Sequence, residues 1–599
     1  NQLIVMFQVA SKFVLAILCV GAVLQDALAR DPRMLEEMIP MRDGVKLHTW
    51  ILLPGDRKTD DDEKFTAIVD RSPYGYHDME WIPDLMVPFG YVAVGQDMRG
   101  TEKSEGNFTM WQSDADDSRD LGDWIVKQPW SNGKIMTLGA SADGIGSIQT
   151  PKTNPEWLAA QYIIWATPKM YDILFPYGTY KQKTTEDWLM GLTMPNPDVV
   201  YDNIETVHQN EAHTDYWAGV EVTDEQYALI DFPSAHWGGW YDLFQLGTMQ
   251  VFEGYNTKSA ENVRYTAKLT MDPCGHCLEA GPYFTQNAVM GRTALVLAQM
   301  LEVYGIRPVT RTQIRNVTFY VMSSNDSAGN DVGNYWTSLD TFPAARATDY
   351  FLNADGTLST TRSGSAAVSY KYDPADPVPT MGGNNLPDSI GGSIPCGPMD
   401  QSEVDQRADV LKFQTPVLNE ELALTGALLA TLYVSSDAID TDFTVKISDV
   451  FPTGEVRILQ DNAVRMRWRE NTLTPVYMTQ GEVYKVEMNL WNTSYVVAPG
   501  HALRVSVSSS NFPRFSVNPN NGIVVDDAAY PGANITATNT LYMQEEYPSK
   551  VTLPVVPFRK IQMPEVHVLK EVQLGYPHLT EEYVREHVST VDALAKRKF

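Results

Sequence analysis

The hydrophobic rhythm of the chain changes once, near residue 310, and that change limits the fold more than any other feature. Before it, short β-rich apolar runs at Val45 to Leu53, Thr66 to Val69, Tyr91 to Val94, Ile135 to Leu138, Tyr162 to Trp165 and Leu269 to Met271 alternate with helical stretches. One such stretch, Asp114 to Lys127, puts Leu121, Trp124 and Ile125 on one face at spacings of three and four. Strands alternating with helices form a parallel sheet that needs helices on both faces. Between Pro168 and Gln226 the rhythm breaks into an aromatic-rich helical insertion, the usual position of a cap. After 310 the helical signals nearly vanish. Alternating segments such as Val317 to Met322, Leu428 to Val434 and Leu503 to Ser509 are separated by Gly, Pro, Asn and Asp clusters, the pattern of an antiparallel sandwich or jelly roll. The Ser/Thr/Gly/Pro-rich stretch Asp355 to Pro398 reads as one long loop. The tail from Thr580 reads as an amphipathic helix with Thr580 as N-cap, Glu581 and Glu582 in the first turn and Lys596 to Lys598 at the end.

Composition narrows the function. With 43% hydrophobic and 20% charged residues the chain is globular, and 75 acidic against 46 basic residues leave a net charge of −29 that repels polyanions. Nucleic acid is excluded as a partner. Lys12, the apolar run Phe13 to Val23 and the small-x-small pattern Ala27-Leu28-Ala29 come in the order of a secretory signal, the alternative being a buried first helix. The apolar core is too short to span a bilayer comfortably, so no membrane attachment is expected after cleavage. Sequons at Asn107, Asn316, Asn325, Asn492 and Asn534 agree with a eukaryotic secretory route. The expected location is extracellular, with a homo-oligomer left open. Loss of Cys19 with the leader would leave Cys274, Cys277 and Cys396, too few for a disulfide framework.

The chemistry begins where the run Lys134 to Leu138 ends in Gly139-Ala140-Ser141-Ala142-Asp143-Gly144. A nucleophilic serine on a strand-to-helix turn needs small neighbours, because the backbone there is strained and crowded. The spacing Gly-x-Ser-x-x-Gly departs from Gly-x-Ser-x-Gly, so the motif alone decides little. Chain order decides more. Such sheets present Ser, then acid, then His, each at the carboxyl end of a strand. The acid candidate is Asp242 in Gly238-Gly239-Trp240-Tyr241-Asp242, and His276 is the one histidine of ten in the required place after it.

At these residues the chain resembles the cocaine esterase, glutaryl acylase, α-amino acid ester hydrolase and X-prolyl dipeptidyl peptidase group of serine hydrolases, over roughly residues 38 to 560. The marks are Arg71-Ser72-Pro73-Tyr74, Gln96-Asp97-Met98-Arg99-Gly100 with Ser104-Glu105-Gly106, the Ser141 turn, and Gly238 to Asp242. Later come Tyr372-Asp373-Pro374, Pro377-Val378-Pro379-Thr380, Asp405-Gln406-Arg407, Thr441-Asp442-Phe443 and Ser508 to Phe515 with Asn518-Pro519-Asn520. The resemblance implies an α/β-hydrolase domain with a helical cap insertion, followed by an all-β jelly-roll domain of galactose-binding-like type. The corresponding segments are a signal peptide over 1–29, hydrolase parts over 30–167 and 231–310, a cap over 168–230, a jelly roll over 311–560 and a tail over 561–599. It makes Ser141 the nucleophile, His276 the base and then acid, and Asp242 the residue that orients the imidazole. It assigns the oxyanion hole to the Tyr74 hydroxyl and the Ala142 N–H, and it places Phe244 in the acyl pocket. No cofactor or metal is implied, and the expected partner is a small-molecule ester or amide.

Departures are informative too. Relatives carry Tyr directly after the nucleophile where this chain has Ala142, and Leu243, Phe244 and Gln245 stand where amino-ester hydrolases place ammonium-binding carboxylates. Cys274-Gly275-His276-Cys277 lacks the helix-start context of a redox motif and the partner pair of a zinc site, so it reads as a small disulfide bracing the histidine loop, with Cys396 unassigned. Two functions remain: a secreted serine esterase or amidase working through an acyl-enzyme, and a catalytically inactive hydrolase-fold glycoprotein with a binding or structural role.

Overall fold

The computed structural model describes residues 33–54, 63–75, 86–276, 286–310, 312, 314–324, 332–386, 394–523, 534–562 and 568–588. The expected leader over 1–29, Cys277, Asn325 and Lys596 to Lys598 lie outside the described residues. The chain divides into two compact units, residues 1–161 with 193–199 and residues 162–192 with 200–599.

The first unit is built on strands β1 (Arg33–Pro40), β2 (Lys46–Leu53), β3 (Phe65–Ser72), β4 (Val92–Asp97) and β5 (Ser131–Ala140). Strand β1 pairs antiparallel with β2 and β2 antiparallel with β4, after which β4, β3 and β5 run parallel. The parallel strands β3 and β4 are buried almost throughout, as strands covered on both faces must be. Helix α1 (Asp114–Ile125) buries Leu121 and Ile125 as its periodicity requires. Its first turn is held from the sheet side by arginines. Arg71 Nη1 donates to Asp114 Oδ1 at 2.5 Å and Arg99 Nε donates to Asp117 Oδ2 at 3.0 Å. These arginines stand in two of the strings that carry the family resemblance, and they order the strand ends near which the site residues emerge.

The second unit contains the helical insertion, with helices at Met170–Leu174, Gln182–Gly191, Asp198–Gln209, Asp215–Val220 and Asp224–Tyr227. Parallel strands β7 (Ser234–Gly239), β8 (Lys268–Asp272) and β9 (Val317–Ser323) follow, and β10 (Tyr335–Leu339) pairs antiparallel with β9. Beyond them lies the sandwich. In one sheet β13 (Ala366–Tyr372) pairs with β20 (Ala537–Met543), β20 with β15 (Leu422–Ser436), and β15 with β18 (Tyr484–Val497). The facing sheet has the order β14 (Leu411–Gln414), β19 (Ala502–Ser508), β16 (Asp442–Val450), β17 (Val456–Arg465). Strand β13 corrects the expectation of one long loop over 355–398. Tyr370 and Tyr372 point inward while Ser369 and Lys371 face out, a strand alternation that the polar composition around it conceals.

The family strings of this half meet as a buried polar network. Arg465 makes two bonds to Asp442 at 3.0 and 2.9 Å, Asn518 Nδ2 donates to Asp442 at 2.7 Å, and the Tyr372 hydroxyl donates to the Asn518 carbonyl at 3.0 Å. Arg467 bonds Asp440 at 2.8 Å and pairs with Glu211 of the insertion. Buried charges require such partners, because an uncompensated one costs several kcal/mol. In the tail, the Thr580 hydroxyl accepts from the Tyr583 N–H at 3.1 Å, capping helix Glu581–Glu586. A further helix, Val568–Gly575, buries Val568 and Val572, and the Gly575 carbonyl accepts from the Val309 N–H at 2.8 Å, so the tail docks on the end of the hydrolase part.

Candidate active site

In the first unit Ser141 closes β5 and opens helix Ala142–Gln149. Its backbone has φ 58° and ψ −123°, a combination that L residues rarely adopt. The turn is built from small residues for a measurable reason: a Cβ on Gly139 would sit 2.5 Å from the Asp143 backbone. Trp111 Nε1 donates to the Ala142 carbonyl at 2.9 Å and the Ile145 N–H bonds the Ser141 carbonyl at 3.0 Å, fixing the turn from both sides. Tyr74, whose N–H donates to Ser72 Oγ at 3.2 Å, follows the carboxyl end of the neighbouring parallel strand β3. The candidate nucleophile and both oxyanion candidates therefore lie at one edge of one sheet, where such sheets place ligands.

In the second unit Asp242 follows β7 and His276 follows the adjacent parallel strand β8. His276 Nδ1 bonds Asp242 Oδ2 while Asp242 Oδ1 accepts the Phe244 N–H at 2.5 Å, and both residues are almost fully buried. The carboxylate thus fixes the imidazole with Nε2 as the outward nitrogen, the orientation a general base needs. Two aromatic rings flank the imidazole, Trp165 and Phe244, each with its centroid 5.4 Å away. His236, inside β7, is held neutral by burial, which lowers it to about 3, so it offers no base at working pH.

The acid loop is also gripped from the sandwich. Asn384 Nδ2 donates to the Trp240 and Asp242 carbonyls at 3.2 and 2.9 Å, Gln460 Nε2 to the Trp240 carbonyl at 2.7 Å, and the Tyr241 hydroxyl to the Ile458 carbonyl at 2.9 Å. The residue patterns gave no sign of these contacts. They pointed no more to Lys181, a fully buried amine whose Nζ lies 4.4 Å from the centroid of the Trp491 ring. Burial pushes this amine well below its ordinary value, Arg514 adds to the push, and Asp461 and Asp242 oppose it.

The expected Cys274–Cys277 disulfide is overturned. Cys274 is buried and keeps its thiol, whereas Cys396 is disulfide-bonded to a cysteine outside the described residues. Hydrogen bonds brace the histidine loop in place of a local bridge: the Cys274 N–H donates to Asp272 Oδ1 at 3.0 Å and its carbonyl accepts the Tyr241 N–H at 3.1 Å. Of the sequons, Asn107 and Asn534 are exposed. Asn492 lies within β18, and the Asn316 amide donates to the Tyr265 carbonyl at 2.9 Å while accepting from Lys268 Nζ at 3.1 Å. Among the described residues no helix is long and apolar enough to cross a membrane, and no group of three potential ligands could hold a metal.

Comparison with known proteins places this geometry. Residues 43–278 match the X-Pro dipeptidyl-peptidase (S15 family) profile, and residues 312–552 match the X-Pro dipeptidyl-peptidase C-terminal non-catalytic domain. A cocaine esterase from Rhodococcus sp. (strain MB1 Bresler) is 29% identical over 87% of this chain and 98% of its own. Among solved structures, an aminopeptidase from a marine sediment Thaumarchaeota archaeon superposes with a TM-score of 0.74 at 23% identity, covering 88% of this chain and 97% of its own. An α-amino acid ester hydrolase superposes with a TM-score of 0.71 at 24% identity, covering 88% and 97%. With an α/β-hydrolase domain, a helical insert and a C-terminal β-sandwich, the chain belongs to the S15 and cocaine-esterase family of serine hydrolases, which cleave esters and amides.

Proposed function

We propose that this protein is a secreted serine esterase or acylase in which Ser141, His276 and Asp242 form the triad. Ser141 Oγ attacks the acyl carbon as His276 Nε2 takes its proton. The tetrahedral oxyanion is met by the Tyr74 hydroxyl and the Ala142 N–H, and collapse expels the alcohol or amine with the proton returned by His276. Water then repeats the sequence on the acyl-enzyme. The observation that carries this reading is the strained φ of 58° at Ser141, on a strand-to-helix turn of the kind that presents a nucleophile. The acid-held imidazole of His276 supports it, and Phe244 and Trp165 beside that imidazole suit an apolar or aromatic acyl group. Secretion is supported by the Lys12 to Ala29 pattern and by the exposed sequons Asn107 and Asn534.

A fluorophosphonate probe tests the chemistry. It should label the wild-type chain rapidly at Ser141, whereas Ser141→Ala should fold normally, resist labelling and keep less than about a thousandth of the ester hydrolysis rate. Absence of labelling in the folded wild type would favour the non-catalytic binding role. Amino-terminal sequencing of protein recovered from the medium of a eukaryotic host should begin just after Ala29.

A further inference from the structure

We propose that Asp272 is a positioning residue of the acid–imidazole pair: from the end of β8 it holds both the backbone of the histidine loop and the aromatic wall against the His276 ring. This inference rests on the triad assignment above. Asp272 is fully buried, and its two oxygens have different clients. Oδ1 accepts the Cys274 N–H at 3.0 Å, inside the turn that ends in His276. Oδ2 accepts Trp237 Nε1–H at 3.1 Å. The Trp237 ring packs on Trp165 with centroids 4.4 Å apart, and Trp165 in turn lies 5.4 Å from the imidazole. The Asp272 carbonyl adds a third tie by accepting the Trp240 N–H at 2.9 Å, two residues before the triad acid.

A buried carboxylate that only braced a turn could be replaced by an amide. This one is placed to act electrically as well. Three kinds of group act on it: the Arg292 guanidinium from helix Gln286–Val303, 3.8 Å away, the Asp242 carboxylate beyond β7, and the Trp237 indole N–H and Cys274 N–H that it binds. Burial is the largest influence and raises Asp272 to about 7, with Asp242 adding to the rise and Arg292 opposing it. Its charge therefore appears across neutrality, within electrostatic range of the carboxylate that holds His276. The charge on Asp272 therefore acts on the acid loop and on the N–H groups it holds, and through them on the placement of the His276 ring. No bond is made or broken at Asp272; it acts only through its neighbours.

The test is an NMR titration of the His276 ring in the full-length protein, alongside steady-state kinetics on a chromogenic ester. In the wild type the His276 ring resonances should show an inflection near pH 7 that reports the charge on Asp272. Asp272→Asn should abolish that inflection. It should also lower kcat about tenfold with KM little changed, since the amide can accept only one of the two N–H groups. Ring resonances without an inflection near pH 7 in the wild type overturn the proposal even if the variant does not fold. Persistence of that inflection in a folded variant overturns it too. Because the titration needs no turnover, these outcomes are distinct from failure of the triad assignment, which would appear as a wild type that neither labels nor hydrolyses esters.

Discussion

Gly275, the residue before the proposed general base His276, gives the sharpest test of how closely the two loops must approach. A Cβ at this position would lie 2.5 Å from the Tyr241 carbonyl carbon and oxygen and 2.5 Å from the Asp242 nitrogen, all backbone atoms that cannot rotate away. Gly275 is not among the residues of positive φ, so alanine can adopt its backbone and the whole effect is one of space. Ordinary contact begins at 3.4 Å, and the histidine loop must therefore move away from the acid loop by about 0.9 Å. Overpacking of this kind costs about 1–3 kcal/mol of stability. The larger consequence is for the imidazole, because a misplacement near 1 Å at a reacting group costs roughly a hundredfold in rate. Gly275→Ala is therefore expected to remain folded by circular dichroism, melt a few degrees lower and hydrolyse a chromogenic ester about a hundredfold more slowly. A folded variant that keeps more than about a third of the wild-type kcat would refute the claim that this contact sets the His276–Asp242 geometry.

Two other perturbations separate roles. Tyr74→Phe should lower kcat about a hundredfold with little change in KM if its hydroxyl meets the oxyanion, and a pure KM effect would assign it to substrate binding. Lys181→Met should stabilise the protein by about 1–3 kcal/mol at neutral pH, because it removes a buried amine with no hydrogen-bond partner. The sign follows from linkage: a lysine lowered in the fold binds fewer protons there than in the unfolded chain. Wild-type stability therefore rises with pH, and the Met advantage, read from melting curves, should shrink as pH climbs toward the ordinary lysine value of 10.5. An advantage independent of pH would contradict the assignment of an uncharged buried amine.

Much of the hydrolase half was legible because its strands are short apolar runs with clear breaks, and the pairing of His276 with Asp242 because the two stand in the chain order such sheets use. Helix Asp114–Ile125 and the Thr580 cap were legible for local reasons, periodicity in one case and a side-chain hydrogen bond in the other. What could not be read depends on partners remote in sequence. Lys181 looks like any loop lysine until Trp491 covers it, and Asp272 looks like a turn residue until Trp237 and Cys274 are seen to bind it. The cysteines misled for a related reason: closeness in sequence suggested that Cys274 and Cys277 pair, but the turn is already satisfied by hydrogen bonds and Cys396 forms the disulfide. Strand β13 was hidden by the Ser, Thr and Gly around it, although Val368, Tyr370 and Tyr372 alternate as a strand must.

The grip of Asn384, Gln460 and the Ile458 carbonyl on the acid loop bears on how such proteins change over time. The C-terminal domain carries no member of the proposed triad, yet it supplies partners to the backbone that holds Asp242. A hydrolase domain of this lineage cannot exchange its sandwich for an unrelated module without orphaning buried carbonyls beside its own acid. The two halves are consequently inherited as a pair, and substitutions drifting through the sandwich are filtered by their effect on an active-site loop they never form part of.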